Sequence, residues 1–245
     1  MTNKEIQYNA GLAVLAYQTP ESIQWENYKI TWSKWIEHKP SDTQGFVAIK
    51  NRTIYVVFRG SESKKDFQND GSVSKVPFIK EGEKVHIGFK SCWEPVEEVV
   101  YSAIREANDK MNTVDSVVVC GHSLGGAVAT LMAYSIKNRF YGYHVECCTI
   151  GSPRVGNKVF KQNFDKSGID SIRVVHNNDL VTHTPYIGFQ HVNYQLRLDD
   201  EGNVKKGENT LGYLWDYVKS IFTGENLKDH MGENYMNAIN KWVNK

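Results

Sequence analysis

A serine bracketed by glycines stands between two apolar runs. In "VVVCGHSLGGAVATLMAY" (117–134), β-branched residues end at Cys120, then Gly121-His122-Ser123-Leu124-Gly125-Gly126 follows. Apolar residues resume beyond it at helical spacing. A nucleophilic serine needs this strand–turn–helix setting, because its hydroxyl must project from a tight turn. Residues two before and two after it must be small, here Gly121 and Gly125. The following helix offers backbone N–H groups and a positive dipole end to a developing oxyanion. The Leu124 N–H is the first expected donor.

A serine hydroxyl is a poor nucleophile until a base takes its proton. Of the eight histidines, His38 and His86 precede the serine, against the order Ser…Asp/Glu…His usual for such a turn. His122 lies within the turn, and His144 opens a strand. His176 and His183 flank Asp179, the acid placed at a strand end to orient an imidazole. His191 and His230 follow that acid, and spacing alone leaves both open as the base. A second oxyanion donor is expected at another strand end. "YVVFRGSES" (55–63) supplies Ser61, immediately after Gly60.

The elements that must hold these residues alternate strand and helix. "GFVAIKNRTIYVVFRG" (45–60) reads as a hairpin around Asn51-Arg52. Strands are predicted at 115–120, 144–153 and 170–179, with an edge strand at 191–199. Helical spacing is found near the N-terminus (Ile6, Ala10, Ala13, Val14, Tyr17), over 91–111, from Gly125, over 211–222 and over 231–243. Residues 21–40 show no clear pattern, and 61–85 are polar and turn-rich. This predicts an α/β fold with a mostly parallel central sheet flanked by helices, as one domain over 1–245. In such sheets function collects beyond the carboxyl ends of the strands.

Composition bounds the partners. The net charge of +1 supplies no field that would favour nucleic acid or an anionic membrane. Of the four cysteines, Cys120, Cys147 and Cys148 lie in apolar strands, and no spacing suits a zinc site or a redox pair. They are expected to be buried thiols. The N-terminal apolar residues are interrupted by Gln7, Asn9 and Gly11, unlike a secretory leader. The expectation is a cytoplasmic rather than a secreted protein, without a transmembrane segment.

An ordered set of further motifs resembles the fungal-type class 3 lipase family of α/β-hydrolases. "VVFRGS" (56–61) is similar to its oxyanion strand, and "DFQND" (66–70) to its D-W-x-x-D segment, with Phe67 for the usual tryptophan. "VHIGF" (85–89), "GHSLGGAVA" (121–129) and "GSPRVGN" (151–157) match in turn. "NNDLVTHTP" (177–185) resembles the segment holding the family's acid, and "GFQH" (188–191) the G-Y-x-H after it. "DHMGENY" (229–235) resembles the segment holding its base, with one extra residue before the tyrosine.

The resemblance implies an α/β-hydrolase fold with Ser123 as nucleophile, Asp179 as orienting acid and His230 as base. His191 becomes non-catalytic, Ser61 and Leu124 become the oxyanion donors, and Arg154 and Gly156 become structural. It implies no metal and no cofactor. The implied activity is serine ester hydrolysis of acylglycerols or other carboxylic esters. Phospholipase A1 or feruloyl-type ester hydrolysis is the alternative on the same triad, and a non-catalytic lipase-like module a third. The partners expected are a lipid or small ester, with transient contact with lipid surfaces. A lid often follows the family's oxyanion residue, yet 62–75 holds only Phe67 and Val73 as apolar residues. Phe67, Phe78, Ile79, Tyr186 and Ile187 are the candidate walls of a substrate groove.

Overall fold

Strand Ser116–His122 has every residue buried, so it must be covered on both faces. Its side chains alternate between two cores. Val117 and Val119 join one cluster, and Val118 and Cys120 join the other. In the computed structural model, residues 1–60, 74–111, 113–192, 194–205 and 229–245 are described.

The described strands are β1 (Trp32–His38), β2 (Thr43–Lys50), β3 (Thr53–Phe58), β4 (Lys75–Pro77), β5 (Lys84–His86), β6 (Ser116–His122), β7 (His144–Ile150), β8 (Asp170–His176) and β9 (Tyr194–Leu198). The described helices are α1 (Asn3–Leu15), α2 (Ile87–Trp93), α3 (Glu97–Asp109), α4 (Leu124–Arg139), α5 (Lys158–Asp165) and α6 (Gly232–Val243). Seven strands form one sheet in the order β1-β2-β3-β6-β7-β8-β9. The β1–β2 and β2–β3 pairs are antiparallel. From β3 to β9 every neighbouring pair is parallel. Helix α4 packs on β6, β7 and β3 with the first cluster, while α1 packs on α6 and on the opposite face of β6 and β7. This is the expected α/β sheet flanked by helices. The edge strand was expected near 191–199, and β9 is the last strand of the sheet.

Three regions depart from expectation. The helix expected over 91–111 is split. Helix α2 ends at Trp93, a 3₁₀ turn spans Glu94–Val96, and α3 begins at Glu97. Pro95 explains the break, because it has no N–H for the helical ladder and its ring clashes with the preceding turn. Strand β1 lies where no pattern was read. It is an edge strand in which only Ile36 is buried, so burial imposes little alternation on its sequence. Strands β4 and β5 add a small antiparallel pair inside the region read as turns.

Adjacent Cys147 and Cys148 face opposite cores, as strand geometry requires. None of the four cysteines forms a disulfide. Among the described residues no helix is long and apolar enough to cross a membrane. The helix expected over 211–222 lies outside the described residues.

Candidate active site

Strand β6 ends at His122, Ser123 turns the chain, and α4 starts at Leu124. Ser123 has φ 57° and ψ −128°, a sparsely populated conformation for a residue with a side chain. Holding it costs about 1–3 kcal/mol, which the surrounding structure must offset. The glycines explain how the turn closes. A Cβ on Gly121 would lie 2.2 Å from the Gly125 carbonyl oxygen. A Cβ on Gly125 would lie 2.5 Å from the carbonyl oxygens of Phe58 and Arg59, at the end of β3. Strand, turn and helix therefore meet at a separation only glycine permits. The Ser123 N–H donates to the Ile150 carbonyl at 3.0 Å and ties the turn to β7. Within α4 the backbone ladder begins with the Gly126 N–H donating to the Ser123 carbonyl, so it does not use the Leu124 N–H.

Asp179 follows β8 through a turn in which Asn177 takes φ 44°. Its carboxylate is fully buried, and both oxygens are occupied. Oδ1 accepts from the Val181 N–H at 3.0 Å. Oδ2 accepts from His230 Nδ1 at 2.8 Å and from the Tyr235 hydroxyl at 2.6 Å. Burial pushes this carboxyl up, but the charge of His230 and hydrogen bonds from His230 and Tyr235 outweigh it. The net result lies below the ordinary carboxyl value. A carboxylate on Nδ1 fixes the ring proton there, so Nε2 is left to accept. Nε2 sits 2.7 Å from Ser123 Oγ. Gly151, at φ 62°, makes this convergence fit, since a Cβ there would meet Asp179 Oδ2 and His230 Cε1 at 3.1 Å each.

Ser123, Asp179 and His230 are thus brought together in hydrogen-bonded sequence at the carboxyl ends of β6, β7 and β8. His191 is not part of that sequence. Its Nε2 donates to the Thr182 carbonyl, and burial holds its pKa well below the ordinary histidine value. His230→Ala is therefore expected to remove most ester turnover, while His191→Ala costs far less. Paired kcat measurements check this, and the reverse order would move the base to His191.

The remaining candidates divide. Ser61 and Phe67 lie outside the described residues, as do the lid positions from 62 to 73. Phe78 packs edge-on against Trp93 and Phe160, with ring centroids 4.9 and 5.7 Å away, as a half-buried core residue. Ile79, Tyr186 and Ile187 are exposed. The Arg154 guanidinium lies over the Tyr186 ring and donates to the Tyr186 carbonyl at 3.2 Å. Arg154 thus pins the loop that follows Asp179. Phe189 of the same loop is buried against His86. One group among the described residues has ligand atoms close enough for a metal ion. It is His144, Glu146 and Asp170, at the opposite end of β7 and β8 from Ser123.

The chain order passes over His122 and His176 as the base, and Tyr17 reads only as part of the N-terminal helical pattern. The structure places all three around the turn that carries Asp229 and His230. His122 Nε2 donates to the His230 carbonyl at 2.8 Å, and the Tyr17 hydroxyl meets His122 Nδ1 at 2.7 Å. No spacing rule flags them, because their partners are far away in sequence.

The family model for class 3 lipases matches residues 55–189. The chain belongs to the class 3 lipase family. It is 38% identical to a lipase from Rhizopus niveus over 160 residues, covering 62% of this chain and 40% of that one. It is 31% identical to secreted mono- and diacylglycerol lipase A from Penicillium cyclopium over 168 residues, covering 66% and 54%. The solved structure of Rhizomucor miehei triacylglyceride lipase superposes with a TM-score of 0.78 at 26% identity, covering 96% of both chains. The fold is thus that of the α/β-hydrolase lipases. The chain spans about half the length of the curated relatives it matches. The secreted Penicillium relative overturns the expectation of a cytoplasmic protein. That expectation rested on the interrupted apolar residues near the N-terminus, which form the buried face of α1 and so report packing rather than compartment.

Proposed function

We propose that this protein is a serine ester hydrolase of the lipase and carboxylesterase type, acting on acylglycerols and other carboxylic esters, with 1–245 as one hydrolase domain. The observation that carries the reading is the unbroken chain from Ser123 Oγ through His230 to buried Asp179. His230 Nε2 takes the Ser123 proton as Oγ attacks the ester carbonyl. The charge that develops on the carbonyl oxygen is held by the Leu124 N–H and by Ser61. One such donor is typically worth about 10²–10³ in turnover. The resulting imidazolium, balanced by ionised Asp179, protonates the leaving alcohol. Water then repeats the sequence in reverse and releases the acid. No step calls for a metal or cofactor.

The names of the relatives favour glycerol esters, and the exposed side chains of Ile79, Tyr186 and Ile187 are the candidate contacts with an acyl chain or a lipid surface. The sequence that follows Ser61 favours dispersed esters over bulk oil. An oil-activated lid needs an apolar inner face, and "ESKKDFQNDGSVSK" supplies two apolar residues. Hydrolysis of a short-chain triglyceride is expected to rise smoothly through its solubility limit. A sharp jump there would contradict the dispersed-ester preference. A panel of acyl lengths with one phospholipid and one feruloyl ester tests the substrate class.

A further inference from the structure

The base stands on a turn rather than on a helix or strand. Asp229 and His230 precede α6, which starts only at Gly232. An imidazole that must meet Ser123 at 2.7 Å and Asp179 at 2.8 Å needs a fixed backbone beneath it. The strand ends beside it supply one. His122, last residue of β6, donates Nε2–H to the carbonyl of His230 at 2.8 Å. His176, last residue of β8, sets Nδ1 3.2 Å from the carbonyl of Asp229 and Nε2 3.0 Å from the Asp200 carboxylate. Asn177 Nδ2 adds a bond to the Asp229 carboxylate at 3.3 Å. Gly151, just past the end of β7 between them, leaves the space into which the ring fits.

We infer that His122, held by Tyr17, and His176 are positioning residues that fix the base by gripping two consecutive backbone carbonyls. The inference rests on the proposed ester hydrolase reading. His122 is suited to the task because its two bonds define one tautomer. The carbonyl on Nε2 can only accept, so Nε2 carries the proton and Nδ1 accepts from the Tyr17 hydroxyl. Burial and the neighbouring His230 push its pKa down to about 3, so the ring stays neutral through the working range. Tyr17 also reaches the oxyanion side. A Cβ on Gly60 would lie 2.3 Å from its hydroxyl and 2.9 Å from Ser123 Cβ. Tyr17, two residues past α1, therefore touches the approach to the nucleophile and, through His122, the seat of the base.

The test compares the parent enzyme with Tyr17→Phe, His122→Phe and His122→Gln on p-nitrophenyl butyrate, reading kcat and KM separately. A misplaced base slows chemistry without weakening ester binding, so His122→Phe should lower kcat by about 10- to 100-fold at near-constant KM. His122→Gln keeps a side-chain N–H donor and should recover most of that loss. Tyr17→Phe deletes one hydroxyl and should lower kcat by a smaller factor, with the melting temperature little changed. If His122→Phe does not fold, Tyr17→Phe decides. A kcat within twofold of the parent in the folded variants, or a loss confined to KM, overturns the inference. ¹⁵N NMR of the parent protein provides a readout independent of turnover. It should show His122 protonated on Nε2, and protonation on Nδ1 overturns the inference. A parent enzyme without ester turnover would instead sink the functional reading and leave the tautomer test standing.

Discussion

Ser123→Ala is expected to lower ester hydrolysis by about 10⁶ and to abolish labelling by a fluorophosphonate probe. The size follows from how the three residues act together. Once Oγ is gone, His230 has no proton to take and Asp179 orients a ring with no task. What survives is the uncatalysed background plus any help from the oxyanion donors. The substitution is a clean one structurally. Alanine keeps the Cβ at φ 57°, so the backbone strain of the turn stays as it is. It deletes a single hydroxyl and its 2.7 Å bond to His230. The melting temperature should change little, which separates loss of chemistry from loss of fold. Retained turnover in a folded Ser123→Ala protein would sink the assignment of the nucleophile. It would also revive the reading of the chain as a non-catalytic module.

The site was legible in the sequence where one local geometry demands particular residue types. Gly121 and Gly125 around Ser123 are such a case, because the turn closes only if a Cβ is missing at both places. Asp179 was legible as an acid just past a strand end, and β8 does end at His176. Choosing between His191 and His230 was beyond spacing. It depends on which backbone the fold returns to Ser123, and only the family resemblance carried that. The grip of His122 and His176 on 229–230 was not legible, since a hydrogen bond to a distant carbonyl leaves no pattern in its own neighbourhood. Phe78 shows the opposite limit. An apolar run beside a polar segment reads equally well as groove or core, and its ring packs against Trp93 and Phe160. In the fold, buried β6 and the hairpin of β2 and β3 were plain because burial writes their sequences. Edge strand β1 was not, because only Ile36 among its residues must be apolar for the core.

Asp179→Asn should lower kcat by about 10⁴ while leaving the fold recognisable, because a triad carboxylate holds the base in the right tautomer. The hydrogen bonds leave the amide no good orientation. Oδ2 now accepts from His230 and from Tyr235, and Oδ1 accepts from the Val181 N–H. If the amide oxygen takes the Oδ2 place, its NH₂ faces the Val181 N–H, donor against donor. If the NH₂ takes that place, it faces His230 Nδ1, which must then give up its proton and accept. The ring proton moves to Nε2, and Nε2 can no longer take the proton of Ser123. Either arrangement leaves a buried donor unsatisfied, which costs about 1–3 kcal/mol of stability. The parent carboxyl titrates below its ordinary 3.8, so it stays ionised at neutral and mildly acid pH. Its stabilising contribution is complete above that ordinary value and is lost as pH falls through the depressed one. Melting temperatures measured down the acid range should therefore converge for parent and variant, while kcat at neutral pH stays far apart. A variant within tenfold of the parent kcat would show that Asp179 does not orient the base.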